Sequence, residues 1–245
     1  MFICYETDNY YFFWKPHGFP STFGKEKSFL DYLEEGNGDI YTSIDLSIYE
    51  SMKHFIPSEY VVIQNPQPAI QHLLQSFTKE QEYGLLNRLD NDTAGFLYFA
   101  KDLPTLTTYR QFQAHNQIEK HYIAQVVGNQ FPRPPIPDPQ YPIDYPIMHR
   151  STERMIAIKD PKDFKKGRGK EHHVQTFVKL ANYDPKTDIS TLLVTIHKGI
   201  RHQIRVHLAS IGFPIIGDPL YGEKSMLSET HEHLHLWSVG FKIVE

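Results

Sequence analysis

Stretches of apolar–polar alternation and stretches of helical spacing are interspersed along this chain. The aromatic run Tyr10 to Trp14 predicts a strand, stopped at Lys15-Pro16-His17-Gly18-Phe19-Pro20, where Pro and Gly force a turn. Residues 26–57 alternate charged and apolar positions and predict helical pieces and loops. Val61 to Ile63 is a short β-branched run, and Ala69 to Phe77 places Ile70, Leu73 and Leu74 on one helical face. Phe96 to Ala100 reads as a buried strand. Leu103 to Asn116 reads as a helix with Pro104 in its first turn, and Lys120 to Val127 as a strand ending at Gly128. The segment Phe131 to Pro146 carries seven prolines and predicts an extended connector without regular structure. Beyond it, Met155–Ile158, Val174–Leu180, Ser190–Ile196 and Leu234–Val244 predict strands. Gln203 to Ser210 predicts a buried helix, because Ile204, Val206, Leu208 and Ile211 face more than one way. The order lacks the regular alternation of a parallel βαβ protein, so the expected class is α+β: a mixed, mostly antiparallel central sheet flanked by helices and loops. A single domain over residues 1–245 is expected, since the Pro-rich segment lies between motifs that read as parts of one site.

Composition narrows the class. With 40% hydrophobic and 22% charged residues, the 245-residue chain reads as an ordinary globular protein. One cysteine, Cys4, excludes a disulfide framework and a cysteine-based zinc site. No apolar run approaches the roughly 18 residues of a membrane span. The acid at Glu6 and the lack of a basic lead argue against a secretory signal. A cytoplasmic protein with no membrane association is the expectation.

The net charge of −4 hides an asymmetry: Arg150 to Arg205 holds 13 Lys/Arg against 6 Asp/Glu, so the rest of the chain is strongly acidic. Screening limits the reach of distant charge to about 8–10 Å, so this basic region can contact phosphates. The blander alternative for Lys162 to Lys170 is a solvated charged loop.

The most informative stretch is Leu86-Asn87-Arg88-Leu89-Asp90-Asn91-Asp92-Thr93-Ala94-Gly95-Phe96. A charged Arg-Leu-Asp turn runs into an apolar strand, which holds a carboxylate and a guanidinium at the mouth of a sheet. Asp90 is a candidate nucleophile or base, and Arg88 a candidate grip on a phosphate or a displaced base. A bare Arg-Leu-Asp is more often a capped turn with an ion pair. A second segment, Lys198-Gly199-Ile200-Arg201-His202-Gln203-Ile204-Arg205-Val206-His207, and the strand Glu119-Lys120-His121-Tyr122-Ile123-Ala124 add to it.

In this order these motifs resemble those of the RluA-type RNA pseudouridine synthases, whose usual form is His-Arg-Leu-Asp-x-x-Thr-Ser-Gly before a hydrophobic strand. The resemblance runs from Lys15 to about Phe241 and implies an enzyme that isomerises uridine in structured rRNA or tRNA, on a pseudouridine synthase fold. It implies a catalytic domain alone, without the S4 RNA-binding domain of many relatives. It implies Asp90 as the catalytic carboxylate, with Arg205 as the arginine that reaches it and Tyr122 packing on the target uracil. Arg88 is a candidate for the space left by an extruded nucleotide, and Arg201, four residues before Arg205, is expected to share its helix face and touch RNA phosphate. Such a rearrangement breaks a C–N glycosidic bond and rejoins the base through carbon, so neither a cofactor nor a metal is expected. The expected partner is RNA alone, acting on a monomer without an obligatory protein partner. Lys15-Pro16 and Gly217-Asp218-Pro219-Leu220-Tyr221-Gly222 match family motifs read as mainly structural. The chain departs from the pattern at Asn87, where His is usual, at Ala94, where Ser is usual, and at Gly199-Ile200-Arg201-His202, where Gly-Arg-Thr-His is commoner.

Two rival readings remain. His231-Glu232-His233-Leu234-His235 formally matches the His-Glu-x-x-His of zinc peptidases, but the following residues alternate like a strand, which would split the ligands. A non-catalytic RNA-binding or folding factor with the same fold is the other. It has no need of a carboxylate in a phosphate-binding groove.

Overall fold

The computed structural model describes residues 4–36, 61–129, 140–222 and 233–244. The chain divides into two compact units, one formed by residues 1–117 with 237–243, the other by residues 118–236.

The first unit is built on aromatic strands. β1 (Cys4–Glu6) lies between β2 (Tyr10–Lys15) and β3 (Val61–Ile63), antiparallel to both, and β2 pairs antiparallel with β4 (Ala94–Ala100). All seven residues of β4 are buried, as expected of an apolar run covered on both faces. Rings interlock edge to face across the strands, with Phe13 on Phe99 at 5.4 Å and Trp14 on Phe96 at 5.3 Å. Such pairs add roughly 0.5–1.5 kcal/mol each beyond the area they bury.

The far edge of β4 is shared by two partners. The strand β12 (Leu236–Ile243) joins in parallel at Ala94 and Gly95. A β-carbon on Gly95 (φ +112°) would sit 2.3 Å from the backbone N and O of Ser238, so only glycine permits this approach. Beyond Gly95 the segment 85–87 takes over, with Leu86 N donating to Tyr98 O at 2.8 Å. Helices α1 (Phe29–Glu34), α2 (Gln67–Ser76) and α3 (Leu103–Ala114) complete the unit. Ser28 and Asp31 form a capping box on α1, and Asp102 caps α3 by accepting from Thr105 N.

In the second unit β5 (Ile118–Val127), β11 (Ile189–Ile196), β10 (Thr176–Asp184) and β6 (Tyr141–Ile143) form an antiparallel row in that order. A smaller sheet places β7 (Ile147–His149) between β8 (Met155–Ala157) and β9 (Arg168–His172). Helix α4 (Gln203–Ser210) is buried at every position from Gln203 to Leu208. Its Val206 packs with Ile147, Met155, Ala157 and Val174.

Most expected elements are present within a few residues, and the pairings given above are antiparallel except that of β12 on β4, so the α+β expectation holds. Two readings need correction. The proline-rich connector is not wholly irregular: Tyr141–Ile143 is a strand, and it carries Pro142 because β6 is an edge, where a missing N–H costs no ladder bond. Residues 130–139 of that segment lie outside the described residues, as does most of the 26–57 stretch. The charged run 162–170 is not a plain solvated loop. It is a 3-10 helix (Pro161–Lys166) followed by β9, with Asp160 and Asp163 forming a capping box. No helix among the described residues is long and apolar enough to cross a membrane.

Candidate active site

Asp90 stands half-buried on the loop that feeds β4. Its carbonyl accepts from Thr93 N at 3.0 Å, closing the turn the motif predicts. The loop is clamped from the side by residues 15–21. Ser21 Oγ donates to Leu89 O and accepts from Leu89 N, both at 2.9 Å. Gly18 N donates to Asn91 O at 2.9 Å, and His17 Nδ1 lies 2.6 Å from Asp92 O. Lys15, completely buried at the end of β2, sends Nζ to Asn91 O at 3.0 Å and to the carbonyls of Pro16 and Phe19 at 2.9 and 2.8 Å. The Lys-Pro-x-Gly segment is therefore the cradle of the Asp90 loop.

Asn87 has a definite role in holding the loop. Its side chain accepts from Tyr98 N at 2.7 Å and donates to Phe96 O at 3.2 Å. A primary amide offers one acceptor and a donor, as a peptide does, so Asn87 stands in for a ladder partner and ties the loop to β4. Arg88 points outward, 67% exposed, and pairs with Glu82 at 2.7 Å. Glu82 and Tyr83 both adopt left-handed conformations (φ 51°), a backbone arrangement that costs non-glycine residues roughly 1–2 kcal/mol each.

In the second unit, Arg205 is 1% exposed on α4. It forms a side-on bidentate pair with equally buried Asp218, Nε to Oδ2 at 2.8 Å and Nη2 to Oδ1 at 2.7 Å. Asp218 Oδ1 also accepts from Leu220 N and Tyr221 N at 2.9 and 3.0 Å. Tyr221 lies with its ring 5.5 Å from the guanidinium carbon. Its hydroxyl accepts from Met155 N at 2.8 Å and lies 3.0 Å from His202 Nδ1. Burial, then the charges of Arg205 and Arg201, push His202 down to about 4, which leaves a neutral ring beside the Tyr221 hydroxyl. The Gly-Asp-x-x-Tyr-Gly turn is thus the mount of Arg205, a role that only its buried acid facing a buried arginine would have revealed.

Arg201 does not share a helical face with Arg205. His202 takes a left-handed conformation (φ 55°) and α4 begins only at Gln203, so Arg201 sits in the preceding turn. It is exposed there, with Nη1 donating to Thr152 O at 2.8 Å. Tyr122 is buried on β5 opposite Val194. Lys120, two residues earlier on the same face, is also buried, and burial pushes its ammonium down to about 8. Of the expected site residues, Asp90 and Arg88 lie on one loop in the first unit. Arg205, Arg201 and Tyr122 lie in the second, on a helix, a turn and a strand.

Among the described residues no group of three or more His, Cys, Asp or Glu could hold a metal ion. His231 and Glu232 of the peptidase-like motif lie outside the described residues, and His235 directs Nδ1 to Gln125 Oε1 at 2.8 Å just ahead of β12.

With this geometry in hand, the likenesses to other proteins become informative. The sequence profile of the RNA pseudouridylate synthase family matches residues 9–210. A Chloroflexus aurantiacus protein named as an uncharacterized RNA pseudouridine synthase is 35% identical over 155 residues, which make up 62% of this chain and 41% of that one. Ribosomal large subunit pseudouridine synthase D of Zymomonas mobilis is 31% identical over 163 residues, 65% of this chain and 44% of that one. The chain thus spans less than half the length of these relatives. In structure it resembles human RNA Pseudouridylate Synthase Domain Containing 1, with a TM-score of 0.57 and 18% identity over 97% of this chain and 76% of that one, a likeness of fold. The chain belongs to the RNA pseudouridylate synthase family, as a member of its RluA type.

Proposed function

We propose that this protein converts uridine to pseudouridine in structured rRNA or tRNA, with Asp90 as the catalytic carboxylate. The observation that carries this reading is the Asp90 loop itself. The family's acid stands at the head of a fully buried strand, on a loop held by side-chain or backbone contacts from four residues, Lys15, His17, Gly18 and Ser21. Rigid mounting of that kind suits a carboxylate that must meet one atom of a sugar or base.

The other roles follow from the family motifs. Arg205 is the arginine that orients Asp90, and its side-on pair with Asp218 fixes the plane of its guanidinium for that task. Tyr122 packs on the target uracil. Arg88 helps hold the nucleotide out of its stack, and its exposed pair with Glu82 is weak enough to exchange for a phosphate. Arg201 and the basic region 150–205 contact the RNA backbone. The reaction is an isomerisation and calls for no cofactor or metal. A monomer acting alone in the cytoplasm, as one catalytic domain over residues 1–245, completes the reading. The relative named for the ribosomal large subunit makes that RNA the first to examine.

The test is a pseudouridine map of rRNA and tRNA from a strain lacking the gene, followed by treatment of that RNA with the purified protein or Asp90→Asn. Loss of the mark at one or a few positions, restored by the wild type alone, is expected. Restoration by Asp90→Asn would remove Asp90 from catalysis. No change at any position would leave a non-catalytic RNA-binding role. Affinity for the RNA should also fall steeply as salt rises, and a flat response would count against phosphate contacts.

A further inference from the structure

We propose that Phe164 is a stacking site for an unpaired RNA base, with Lys162, Lys165, Arg168 and Lys170 around it as phosphate contacts. The substrate is then gripped at a single-stranded nucleotide apart from the target uridine. The proposal rests on the reading of this protein as an enzyme that acts on RNA.

The first argument is an aromatic ring held in solvent by an ordered turn. Phe164 is 47% exposed on the 3-10 helix Pro161–Lys166, whereas every other Phe, Tyr and Trp among the described residues is buried or half-buried. The turn beneath it is fixed at several points. Asp163 Oδ2 accepts from Lys159 N and Asp160 N at 3.2 and 3.3 Å, and Oδ1 accepts from Lys166 Nζ at 2.7 Å. Gly167 N donates to Phe164 O at 3.1 Å. A β-carbon on Gly167 would lie 2.8 Å from Met148 Sδ, so the end of the turn is seated directly on β7. Lys159 Nζ reaches Ser210 O at the end of α4, at 2.7 Å. The backbone is fixed while the ring stays out, which is the arrangement of a preorganised contact.

The second argument is the charge around the ring. Residues 159–170 contain the cations Lys159, Lys162, Lys165, Lys166, Arg168 and Lys170 against the acids Asp160 and Asp163. Both acids are spent on the turn: Asp163 is buried, and Asp160 accepts from Lys162 N at 2.9 Å. Lys162, Lys165, Arg168 and Lys170 are exposed, and among the described residues Lys165, Arg168 and Lys170 have no ion-pair partner. Arg168 opens β9, an outer strand of the small sheet, opposite His149. A protein surface apolar enough to take the ring would strand these charges. A nucleotide offers a π-face to the ring and a phosphate to the cations, whatever its base. The base must be unpaired, because neighbours in a duplex cover its faces.

The test uses the full-length protein and two labelled probes followed by fluorescence anisotropy. One is a single-stranded RNA oligonucleotide of mixed pyrimidine sequence, the other the same strand paired with its complement. The wild type is expected to bind the single strand more tightly. Phe164→Ala should weaken that binding about tenfold, with an unchanged thermal midpoint and little effect on the duplex. Phe164→Trp should restore the affinity, and its added emission should be quenched by the single strand and not by the duplex. Phe164→Leu should fail to restore it. Lys165→Gln with Lys170→Gln should lower the slope of log affinity against log salt by about one unit. Equal binding of the single strand by wild type and Phe164→Ala, a preference for the duplex, or an unquenched Phe164→Trp overturns the proposal. Restoration by Phe164→Leu also overturns it, in favour of an apolar contact with a protein partner. If Phe164→Ala proves unstable, the quenching of Phe164→Trp decides. The two readings fail separately. A wild type that binds neither probe nor mixed rRNA and tRNA removes the RNA reading and this site with it. RNA binding that Phe164→Ala leaves untouched removes only the Phe164 site.

Discussion

Lys15 in one unit and Arg205 in the other are buried cations beside family motifs, and the two are held in opposite ways. Lys15 is caged by carbonyl dipoles, while Arg205 is locked to a carboxylate in a side-on pair. Dipoles satisfy hydrogen bonds without cancelling charge. Asp218 cancels the charge of Arg205 and fixes the plane of its guanidinium. The motif residues that resemblance presents as structural are thus of two kinds, one held by dipoles and the other by an ion pair.

The sharpest break of this comparison is Asp218→Asn. It leaves Arg205 buried without a counter-charge, and the expected loss is about 3–5 kcal/mol in denaturant unfolding. Replacing both partners, Arg205→Met with Asp218→Leu, should recover only part of that stability, because Leu220 N and Tyr221 N lose their acceptor, and should remain inactive. Lys15→Met removes its charge together with its hydrogen bonds, and the expected loss is smaller, about 1–3 kcal/mol. If Lys15→Met proved the costlier change, the assignment of ion pair to one unit and dipole cage to the other would have to be reversed.

Asn87→Ala tests the loop from its other side. It strips the partner from Tyr98 N in the middle of a buried strand, while Phe96 O keeps Ser238 Oγ as a donor at 3.1 Å, and a loss of about 1–3 kcal/mol is expected on thermal or chemical unfolding. Asn87 also shows what was legible in the sequence and what was not. The departure from His was visible, but its consequence depends on the edge of β4 left open where β12 stops at Gly95. The Asp90 turn, the strand behind it and helix 203–210 could be read because local pattern determines them. Lys15 beneath Asp90 joins residues 75 or more apart along the chain, and Asp218 beneath Arg205 joins α4 to a turn with no periodicity. Burial of a charge is invisible until the fold closes over it. The basic stretch 162–170 is exposed at most positions, as its composition suggests, but the order that Asp160 and Asp163 impose on it through backbone hydrogen bonds was not legible.

Acid distinguishes the units further. His202 is neutral when folded, with its proton affinity lowered to about 4, whereas an unfolded histidine titrates near about 6.5. Between these values the unfolded chain binds more protons. The stabilising contribution is therefore complete above about pH 6.5 and is lost as pH falls toward the folded value. His207, buried with Nε2 near Tyr145 O and Nδ1 near Thr176 Oγ1, is lowered by burial as well and adds in the same direction. The midpoint of thermal unfolding should fall between pH 7 and pH 5, and His202→Gln should lessen the fall. An equal fall in both proteins would place the acid sensitivity elsewhere.

The smallest expected effect concerns Arg88 and Glu82. The pair is exposed on the arginine side, so Glu82→Ala should change stability by less than about 1 kcal/mol. Glu82→Gly should be slightly more stable than Glu82→Ala, because position 82 is left-handed (φ 51°) and glycine adopts that conformation without strain. The informative readout is binding. If Arg88 must exchange Glu82 for an RNA phosphate, removing the competing carboxylate lowers KM for RNA, most at low salt, and leaves single-turnover kcat unchanged. A raised KM would mean that Glu82 holds Arg88 in its working position. The strained turn at residues 82 and 83 would then serve to place that carboxylate, and preorganisation would extend from the buried clamp of Asp90 to the exposed rim of its loop.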